Sequence, residues 1–340
     1  MHMKHKPLGN SGLYVSELSL GTMLFGEESG RSTPEEDAIR MVHAYIDAGG
    51  THIDTANVYA DGRSEEIIGN ALADGRRNNV TLATKVRFGT NPKSNMGTGL
   101  SRRVIMDQVE QSLSRLGTDA IDLYYMHGFD PHCPIDESLR AFDDLVRDGK
   151  VRYIGVSNFR AWQLMQALGL SDRNGWARFI AAQYQYSLIV RDIEYEFESL
   201  LKSQGVGCMP WGPLGGGFLS GKYTRGAKPT SGRISDTPSD LEEAWERRAT
   251  ERNWRIIDAV QRVAADRGAS VPQIALAWVK AKPIVSSVII GARTMEQFSD
   301  NIGAADIDLS SEEIAALDDA SALPEMYPYR MMQALGMDEE

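Results

Sequence analysis

The sequence has few of the residues that disulfide, metal or membrane proteins depend on. Only two of its 340 residues are cysteines, Cys133 and Cys208, which supports no disulfide framework and fits a reducing compartment. The six histidines are scattered and show no metal-ligand spacing. No apolar run is long enough to span a bilayer, and the N-terminus lacks the apolar core of a signal peptide. These absences predict a soluble cytoplasmic protein with no metal site and no membrane partner.

Positive charge is also scarce. Lys and Arg total 36 against 47 Asp and Glu, so the formal net charge is −11. This excess of negative charge argues against nucleic acid as the main partner. Hydrophobic residues make up 42% of the chain and can bury a large core. Length alone would suggest two domains, but barrels of this size commonly fold as one unit, so we expect a single domain over residues 1–340.

Strands and helices alternate along most of the chain. A hairpin is predicted at residues 4–17, and eight strand segments follow within residues 18–304, each with at least one helix behind it. Such alternation implies parallel pairing, and eight units close into a (β/α)8 TIM barrel. A doubly wound open sheet is the rival fold, but no GxGxxG follows the first strand, and Gly215-Gly216-Gly217 comes too late. The pattern therefore favours an α/β barrel.

Two segments are longer than ordinary connections. Residues 212–246, called the lid below, follow the seventh strand and are rich in Arg, Asp and Glu, which indicates either a functional, mainly polar lid or a disordered insertion. The tail, residues 305–340, carries Met and Tyr without a clear periodic pattern beyond Pro324. In a barrel, both segments would lie over or near the mouth.

The stretch from Thr51 to Gly69 (THIDTANVYADGRSEEIIG) contains the first candidate site residues. It begins as a short strand that ends in Asp54, and a polar turn with Tyr59 follows. A helix is predicted near Ser64, whose hydroxyl we expect to cap it, with two glutamates in the first turn. A carboxylate at the end of a strand and a phenol five residues later are placed where an α/β enzyme has its chemistry.

Further polar groups stand at the ends of the following strands. Lys85 ends the third strand, and His127 ends the fourth. Asp54 follows the second strand, and Tyr59 lies in the loop after that strand. Later strands end near Ser157, Asn158, Gln183 and Trp211. Each residue alone has an ordinary interpretation, such as a solvated lysine or a turn histidine. Because the carboxyl ends of barrel strands converge on one face, four ionisable groups there predict an active site.

These four residues resemble, in order and context, the catalytic tetrad of the aldo-keto reductase superfamily. The resemblance runs from about Leu8 to Ala304 and includes the segments DTANVYADGRSEEIIG, LATKV, DLYYMHGFD, GVSNF, AAQYQYS, PWGPLGGGFLSGKY and IIGARTMEQFSDNIGA. The branch is similar to the longer bacterial and aryl-alcohol-dehydrogenase-like members, which are related to the potassium-channel β subunits. In those subunits the histidine position is typically altered, whereas His127 is intact here.

The resemblance implies NADPH-dependent, reversible reduction of an aldehyde or ketone to the alcohol, without a metal. Tyr59 would be the general acid, with its pKa lowered by the Lys85 ammonium. Asp54 would hold Lys85 in place and charged, and His127 would donate a hydrogen bond to the carbonyl oxygen. The resemblance thus implies a carbonyl or alcohol compound as the small-molecule partner and NADPH or NADP+ as the cofactor.

The resemblance also implies a set of cofactor-binding residues, of which Asp54 is one. Trp211 would stack on the nicotinamide, and the carboxamide would contact Ser157, Asn158 and Gln183. The ribose would lie along Thr22 and Met23, and the adenine would contact Gln297, Asp300 and Asn301. The pyrophosphate would be wrapped by Gly212, Pro213, Leu214, Gly215 and Gly216, with Lys222 and Arg233. Gly291 and Arg293 would meet the 2′-phosphate, because a guanidinium suits a phosphate, and NADPH is therefore expected over NADH.

The substrate is less constrained than the reaction. Phe25, Phe88, Phe129, His127 and Trp211 follow or close separate strands and are candidates for a pocket around the carbonyl. Aldehydes, aromatic ketones, sugars, pyridoxal and polycyclic secondary alcohols all stay open, as does a monomer or a homo-oligomer. Two other functions stay open for this sequence. One is a redox-sensing cofactor-binding subunit with slow turnover, like the channel β subunits. The other is a different barrel enzyme, such as an isomerase or metal-assisted hydrolase.

Overall fold

The chain begins with the predicted hairpin, which closes one end of a barrel. The computed structural model describes residues 3–26, 32–89 and 97–337. Strands β1 (His5–Pro7) and β2 (Tyr14–Ser16) pair antiparallel. Leu8 and Val15 are fully buried and pack in one cluster with Ala83, Leu123 and other inward residues of the barrel strands. The hairpin therefore fills the floor of the barrel.

Eight parallel strands form the barrel wall. They are β3 (Leu18–Gly21), β4 (His52–Asp54), β5 (Thr81–Val86), β6 (Ile121–Met126), β7 (Val151–Ser157), β8 (Phe179–Gln183), β9 (Gly207–Cys208) and β10 (Val288–Ile290). Their order in the sheet is β10-β3-β4-β5-β6-β7-β8-β9. The first and last strands of this order meet at a parallel bridge between Cys208 of β9 and Val285, which lies just before β10. The Cys208 amide also donates to the Ile284 carbonyl at 3.1 Å. The predicted (β/α)8 barrel is confirmed.

Helices surround the wall, and several of them begin at a side-chain cap. Ser101 caps the third helix by accepting from the Val104 amide, and Ser270 forms a capping box with Gln273. The helices are α1 (Glu35–Asp47), α2 (Arg63–Leu72), α3 (Arg102–Leu116), α4 (Ile135–Arg147), α5 (Ala161–Asn174), α6 (Phe197–Gln204), α7 (Arg233–Asp236), α8 (Trp245–Arg248), α9 (Glu251–Arg267), α10 (Val271–Ala281), α11 (Met295–Ile302), α12 (Ser311–Ala320) and α13 (Tyr329–Ala334). Among the described residues, no helix combines the length and apolar composition needed to cross a bilayer.

The lid is folded and has an apolar anchor. It contains a 3-10 turn (Gly215–Ser220), α7 and the start of α8. Phe218 is fully buried, and its ring centroid lies 4.9 Å from that of Trp254 and 6.3 Å from that of Trp245. The alternative of a disordered insertion is therefore wrong, and the polar composition did not predict this aromatic cluster.

The tail is also more ordered than predicted, because it contains α12 and α13. Asp318 accepts a hydrogen bond from Trp278 Nε1 at 3.0 Å, and Ser321 accepts one from Arg191 at 2.7 Å. Tyr195, which precedes α6, donates to the Pro324 carbonyl at 2.6 Å. The tail therefore packs against the connection that follows β8, on the side of the barrel mouth. Its last three residues, 338–340, lie outside the described residues.

Candidate active site

Tyr59 lies in a strained turn between β4 and α2. The turn continues through Ala60 and Asp61, whose φ angles of 48° and 52° are in the left-handed region. Such a conformation costs non-glycine residues about 1 to 3 kcal/mol each and persists where the surroundings enforce it. Gly62, with φ of 94°, then leads into α2. The turn thus holds Tyr59 in one orientation at the carboxyl end of the strands.

The predicted helix cap at Ser64 is wrong. Helix α2 begins one residue earlier, after Gly62, and has no side-chain cap. Ser64 is fully buried, and its hydroxyl lies 2.8 Å from Thr22 Oγ1 and 3.0 Å from Thr55 Oγ1, and it donates to the Thr22 carbonyl at 2.9 Å. Its task is to tie the start of α2 to the ends of β3 and β4.

Asp54, Lys85 and Tyr59 form a continuous chain of hydrogen bonds. Lys85 Nζ donates to Asp54 Oδ1 at 2.5 Å, to the Thr55 carbonyl at 2.8 Å and to Tyr59 Oη at 3.2 Å. The Lys85 side chain is completely buried, and that of Asp54 is 3% exposed. A buried ammonium with three oxygen partners is fully satisfied, so this lysine is fixed beside the phenol.

Gln183 extends this chain in a way that the sequence did not predict. Its Nε2 donates to Asp54 Oδ2 at 2.8 Å, so each oxygen of the carboxylate has its own donor. Ser157, expected at the carboxamide, is buried and donates from its hydroxyl to the Gln183 backbone carbonyl at 2.9 Å. Both side chains therefore position the site from within the barrel wall, and the expected carboxamide contact of Ser157 stays a prediction.

The electrostatics of the phenol differ from the expectation. Burial alone would lower the pKa of Lys85, but the Asp54 carboxylate and the hydrogen bonds to Asp54 and Tyr59 raise it, so Lys85 stays an ammonium. Burial raises the pKa of Tyr59, and the lowering effect of the Lys85 charge does not overcome it. The expected net lowering of the Tyr59 pKa is therefore wrong for the free protein. The phenol is held protonated, which is the form that a general acid needs.

His127 stands next to Tyr59 and carries no charge. Its ring centroid lies 5.9 Å from that of Tyr59 and 5.1 Å from that of Phe88, in both cases edge to face. Burial and the nearby Lys85 charge hold the pKa of His127 well below its usual range. Its Nδ1 has no hydrogen-bond partner among the described residues. A neutral imidazole with one N–H can donate to an oxygen placed between the two rings.

Asn158 links the histidine to the predicted stacking residue. Its Nδ2 donates to the His127 carbonyl at 3.1 Å, and its Oδ1 accepts from Trp211 Nε1 at 3.3 Å. Its φ of 57° is again left-handed, so it is the third left-handed non-glycine residue at the site, after Ala60 and Asp61. The structure thus brings His127, Asn158 and Trp211 together, as predicted.

The predicted pocket aromatics differ in their surroundings. Phe25 is fully buried in the core and cannot reach a substrate in this structure. Phe129 packs edge to face on Phe159 at 5.3 Å, and its place in the pocket stays a prediction. Phe88 is 42% exposed and lies against the His127 ring. It is therefore well placed to line a pocket beside His127.

The glycine loop, Gly212–Gly217, has the backbone of a phosphate cradle. Four of its residues, Gly212, Gly215, Gly216 and Gly217, have φ angles of 64°, 57°, 69° and 92°. A Cβ on Gly215 would lie 2.3 Å from Ile189 Cδ1, so only glycine fits there. Pro213 is buried and Leu214 partly buried, so their side chains pack beneath the loop.

Lys222 provides positive charge beside this loop. A Cβ on Gly217 would be 3.7 Å from Lys222 Nζ. Partial burial and the charge of Arg293 lower the pKa of Lys222, so the two cations interact electrostatically. Neither side chain has a carboxylate partner within the part of the chain that the structure describes. Two unpaired cations near a glycine-rich turn fit an anionic group such as a phosphate.

Several other predicted cofactor residues have partners within the chain. Arg233 Nε donates to Glu243 Oε2 at 2.6 Å, inside the lid. Asn301 is 5% exposed and donates to the Gly291 carbonyl at 3.1 Å, and its expected adenine contact stays a prediction. Asp300 accepts from Ser270 at 2.9 Å, and Gln297 accepts from the Arg293 amide at 3.0 Å. The last two bonds hold α11 in place.

The two residues predicted along the ribose, Thr22 and Met23, differ in their exposure. Thr22 is fully buried, and its hydroxyl donates to the Asp54 carbonyl at 3.1 Å, so it connects β3 to β4. Met23 is 39% exposed and stays a candidate. Sequence reasoning missed Thr55, whose carbonyl accepts from Lys85, and Glu243, which faces the glycine loop. A backbone acceptor leaves no sequence signal, and Glu243 is one of many acids in the lid.

Comparison with known proteins agrees with this geometry. The sequence profile of the aldo/keto reductase family matches residues 17–322. The uncharacterized oxidoreductase YrpG of Bacillus subtilis (strain 168) is 38% identical over 326 residues, which cover 93% of this chain and 95% of that protein. The versiconal hemiacetal acetate reductase of Aspergillus parasiticus is 33% identical and covers 96% and 99%. A probable voltage-gated potassium channel subunit beta of Oryza sativa subsp. japonica is 34% identical and covers 90% and 92%. The chain belongs to the aldo/keto reductase family.

Proposed function

We propose that the protein is an NADPH-dependent reductase that converts an aldehyde or ketone to the alcohol. The observation that carries the proposal is the hydrogen-bonded chain from Asp54 through Lys85 to Tyr59, with neutral His127 beside the phenol. Family membership supports carbonyl reduction in general, and members of the family use NAD(P)H. A bound cofactor would supply the hydride for the carbonyl carbon.

The chain's own residues would manage the charge that develops on the carbonyl oxygen. Tyr59 Oη donates its proton to that oxygen as the carbon is reduced, and His127 donates a hydrogen bond to it. Lys85, 3.2 Å from Tyr59 Oη, stabilises the phenolate left behind. Asp54 keeps Lys85 in position, and the phenol then regains a proton from solvent.

The preference for NADPH over NADH rests on Arg293 and Lys222. Both cations lack a carboxylate partner among the described residues, and Arg293 follows β10 at the position where relatives meet the 2′-phosphate. A guanidinium can bind a phosphate through two parallel N–H donors. Trp211 would cover the nicotinamide, with Asn158 at the carboxamide, and Met23 along the ribose.

A second candidate function is a redox-sensing cofactor-binding subunit with slow turnover. Relatives named as potassium-channel β subunits, including one from Arabidopsis thaliana at 34% identity, favour it. His127 is intact here, and the neutral ring beside Tyr59 argues for turnover. Rates with an activated aldehyde such as a nitrobenzaldehyde separate the two functions.

Replacing Tyr59 with phenylalanine tests the proposal. The Tyr59→Phe variant loses the proposed proton donor but keeps the ring, so carbonyl reduction should fall by at least about a hundredfold. Binding of NADPH, followed by quenching of tryptophan fluorescence, should be retained. Reduction is measured from the loss of NADPH absorbance across a panel of aldehydes and ketones.

One control variant and two contradicting outcomes complete this experiment. Tyr14→Phe, at an exposed hairpin position, should behave like the wild type. Full turnover by Tyr59→Phe would remove Tyr59 from the mechanism. In the wild type, equal Michaelis constants for NADPH and NADH would contradict the proposed cofactor preference.

A further inference from the structure

We propose that the Glu243 carboxylate occupies, in the free protein, the anion site that the cofactor pyrophosphate takes on binding. Glu243 would then set the affinity and exchange rate of the cofactor. The inference rests on the proposed function, because it takes the glycine loop as the pyrophosphate site.

The first observation is the position of Glu243 on the inner side of the lid. Its Oε2 accepts from Arg233 Nε at 2.6 Å, and its side chain is 14% exposed. Arg233 is the lid residue expected to contact the pyrophosphate. Its guanidinium therefore already holds an anionic group, and that group is a side chain of the same segment.

The second observation concerns the other carboxylate oxygen. Glu243 Oε1 is buried, and no donor reaches it among the residues that the structure describes. A Cβ on Gly216 would lie 3.7 Å from this oxygen, and one on Gly212 would lie 4.0 Å from it. The unpaired oxygen therefore faces the backbone of the glycine loop. A buried carboxylate oxygen without a donor is unfavourable, so this contact is easily exchanged for a better one.

The neighbouring glutamates of the lid show that this inward position is specific. Glu246 pairs with Lys228 at 2.6 Å, and its side chain is 46% exposed. Glu242 pairs with Arg248 at 3.1 Å and is 62% exposed. Both carboxylates are therefore largely exposed, although Glu242 pairs with the buried Arg248 and Glu246 with the half-exposed Lys228. Glu243 is the member of this group that is enclosed against the loop.

A phosphate cannot share this site with a carboxylate. The two like charges would repel each other at short range, so Glu243 has to leave when an anion enters. Arg233 then exchanges the carboxylate for the phosphate, while Lys222 and Arg293 attract the anion from the other side. The cofactor binds only to molecules in which Glu243 has left the site. The apparent dissociation constant for the cofactor therefore rises as the fraction of molecules with Glu243 in the site increases.

The test compares NADPH binding in the wild type and in Glu243→Gln. Titrations use tryptophan quenching, and stopped-flow mixing gives the association rate constant. Glu243→Gln keeps the shape and removes the charge, so it should bind NADPH about tenfold more tightly. Glu243→Ala should shift the affinity in the same direction. Glu246→Gln, an equal charge change on the outer side of the lid, should stay within about twofold of the wild type.

The other outcomes are also decisive. Unchanged or weaker NADPH binding in both Glu243 variants would overturn the inference. Arg233→Ala should weaken binding more in the Glu243→Gln background than in the wild type, because the arginine is then not shared; equal losses would also overturn it. If neither the wild type nor any variant binds NADPH or NADH, the proposed function itself is rejected, and the inference with it.

Discussion

The Asp54 carboxylate has two donors, and they belong to different parts of the barrel. Lys85 of β5 binds one oxygen and Gln183 of β8 binds the other. Because the carboxylate is buried, each lost donor leaves an oxygen that water cannot satisfy. Gln183 is thus a positioning residue for Asp54, and through it for Lys85 and Tyr59.

The Gln183→Met variant distinguishes the positioning of Asp54 by Gln183 from a contact of Gln183 with the cofactor. Methionine is similar in size but offers no donor, so the Asp54–Lys85 pair loses one support. We expect kcat for carbonyl reduction to fall about tenfold, since one buried hydrogen bond to a charged group is worth about 1.5 to 3 kcal/mol. The dissociation constant for NADPH should change less than about twofold.

The opposite pattern identifies a carboxamide contact. Asn158→Ala removes a residue that touches His127 and Trp211 but not Asp54, and it should weaken NADPH binding more than it lowers kcat. If Gln183→Met instead raises the NADPH dissociation constant and leaves kcat unchanged, Gln183 serves the carboxamide alone.

For single residues, the position of the site could be predicted from the sequence, but the pKa of Tyr59 could not. Asp54, Lys85 and His127 could be found because barrel strands end on one face. The raised pKa of Tyr59 could not, because it depends on how much burial offsets the Lys85 charge. The bond from Gln183 to Asp54 joins residues 129 positions apart, and no local pattern encodes it.

The start of helix α2 is the element that supports Tyr59. The turn before it holds two left-handed non-glycine residues, and Ser64 ties the helix to Thr22 and Thr55. Strain of this kind persists only when neighbouring contacts enforce it. The Ser64 hydroxyl is one of those contacts, because it joins three elements at one point.

Ser64→Ala should therefore destabilise the protein more than loss of an ordinary helix cap. We expect about 2 kcal/mol for Ser64→Ala, because it leaves buried hydroxyl partners unsatisfied. Ser101→Ala, which removes the cap of α3, should cost about 1 kcal/mol. Urea unfolding followed by circular dichroism gives both values. A smaller loss for Ser64→Ala than for Ser101→Ala would show that the buried bonds contribute little.

Helices with complete end signals were predicted well, and short strands were not. The apolar spacing predicts helices over residues 271–281 and 295–302, and α10 and α11 have these bounds, because Ser270 and Thr294 cap them. The apolar runs at residues 207–211 and 285–291 predict two strands, but the paired residues are only Gly207–Cys208 and Val288–Ile290, since pairing at the closure of the barrel is short. Helix α12 was missed, although Ser310 and Glu313 form a capping box that gives a sequence signal.

For the molecule as a whole, buried histidines link stability to pH. His52 is fully buried, and neither ring nitrogen has a partner among the described residues. Burial lowers the pKa of His52 to about 4, with Asp54 and Lys85 acting in opposite directions. The unfolded chain takes up this proton near pH 6.5, whereas the folded protein does so only near pH 4. The contribution is therefore present above pH 6.5 and is lost as the pH falls.

His52→Leu should make the protein less sensitive to acid. Between pH 7 and pH 5, His52 alone should account for about 2 kcal/mol of the lost unfolding free energy, at about 1.4 kcal/mol per pH unit below 6.5. Urea unfolding at the two pH values measures the difference. His5→Gln, at an exposed position, should leave it unchanged. Equal acid sensitivity in the wild type and His52→Leu would exclude His52 as its source.

The whole-chain organisation was predicted from the alternation of strands and helices, and the barrel confirms it. The boundaries at residues 17 and 304, and the assignment of residues 1–340 to one domain, stay predictions. Order in the tail was not predicted, because it depends on contacts such as those from Arg191 and Trp278 to α12, which lie far away in sequence.

The way in which β10 closes the ring also affects how the protein is made. Strand β10 pairs with β3, and the adjacent Val285 bridges to Cys208 of β9, so the barrel stays open until residue 290 has left the ribosome. Until then, β3 and β9 expose edges to which other chains can pair. The glycine loop and Arg293 flank this final joint. The proposed cofactor site is therefore complete only after the whole barrel has been synthesised. A nascent chain that stops before β10 has no closed wall, and it has the glycine loop but not Arg293 for the proposed anion site.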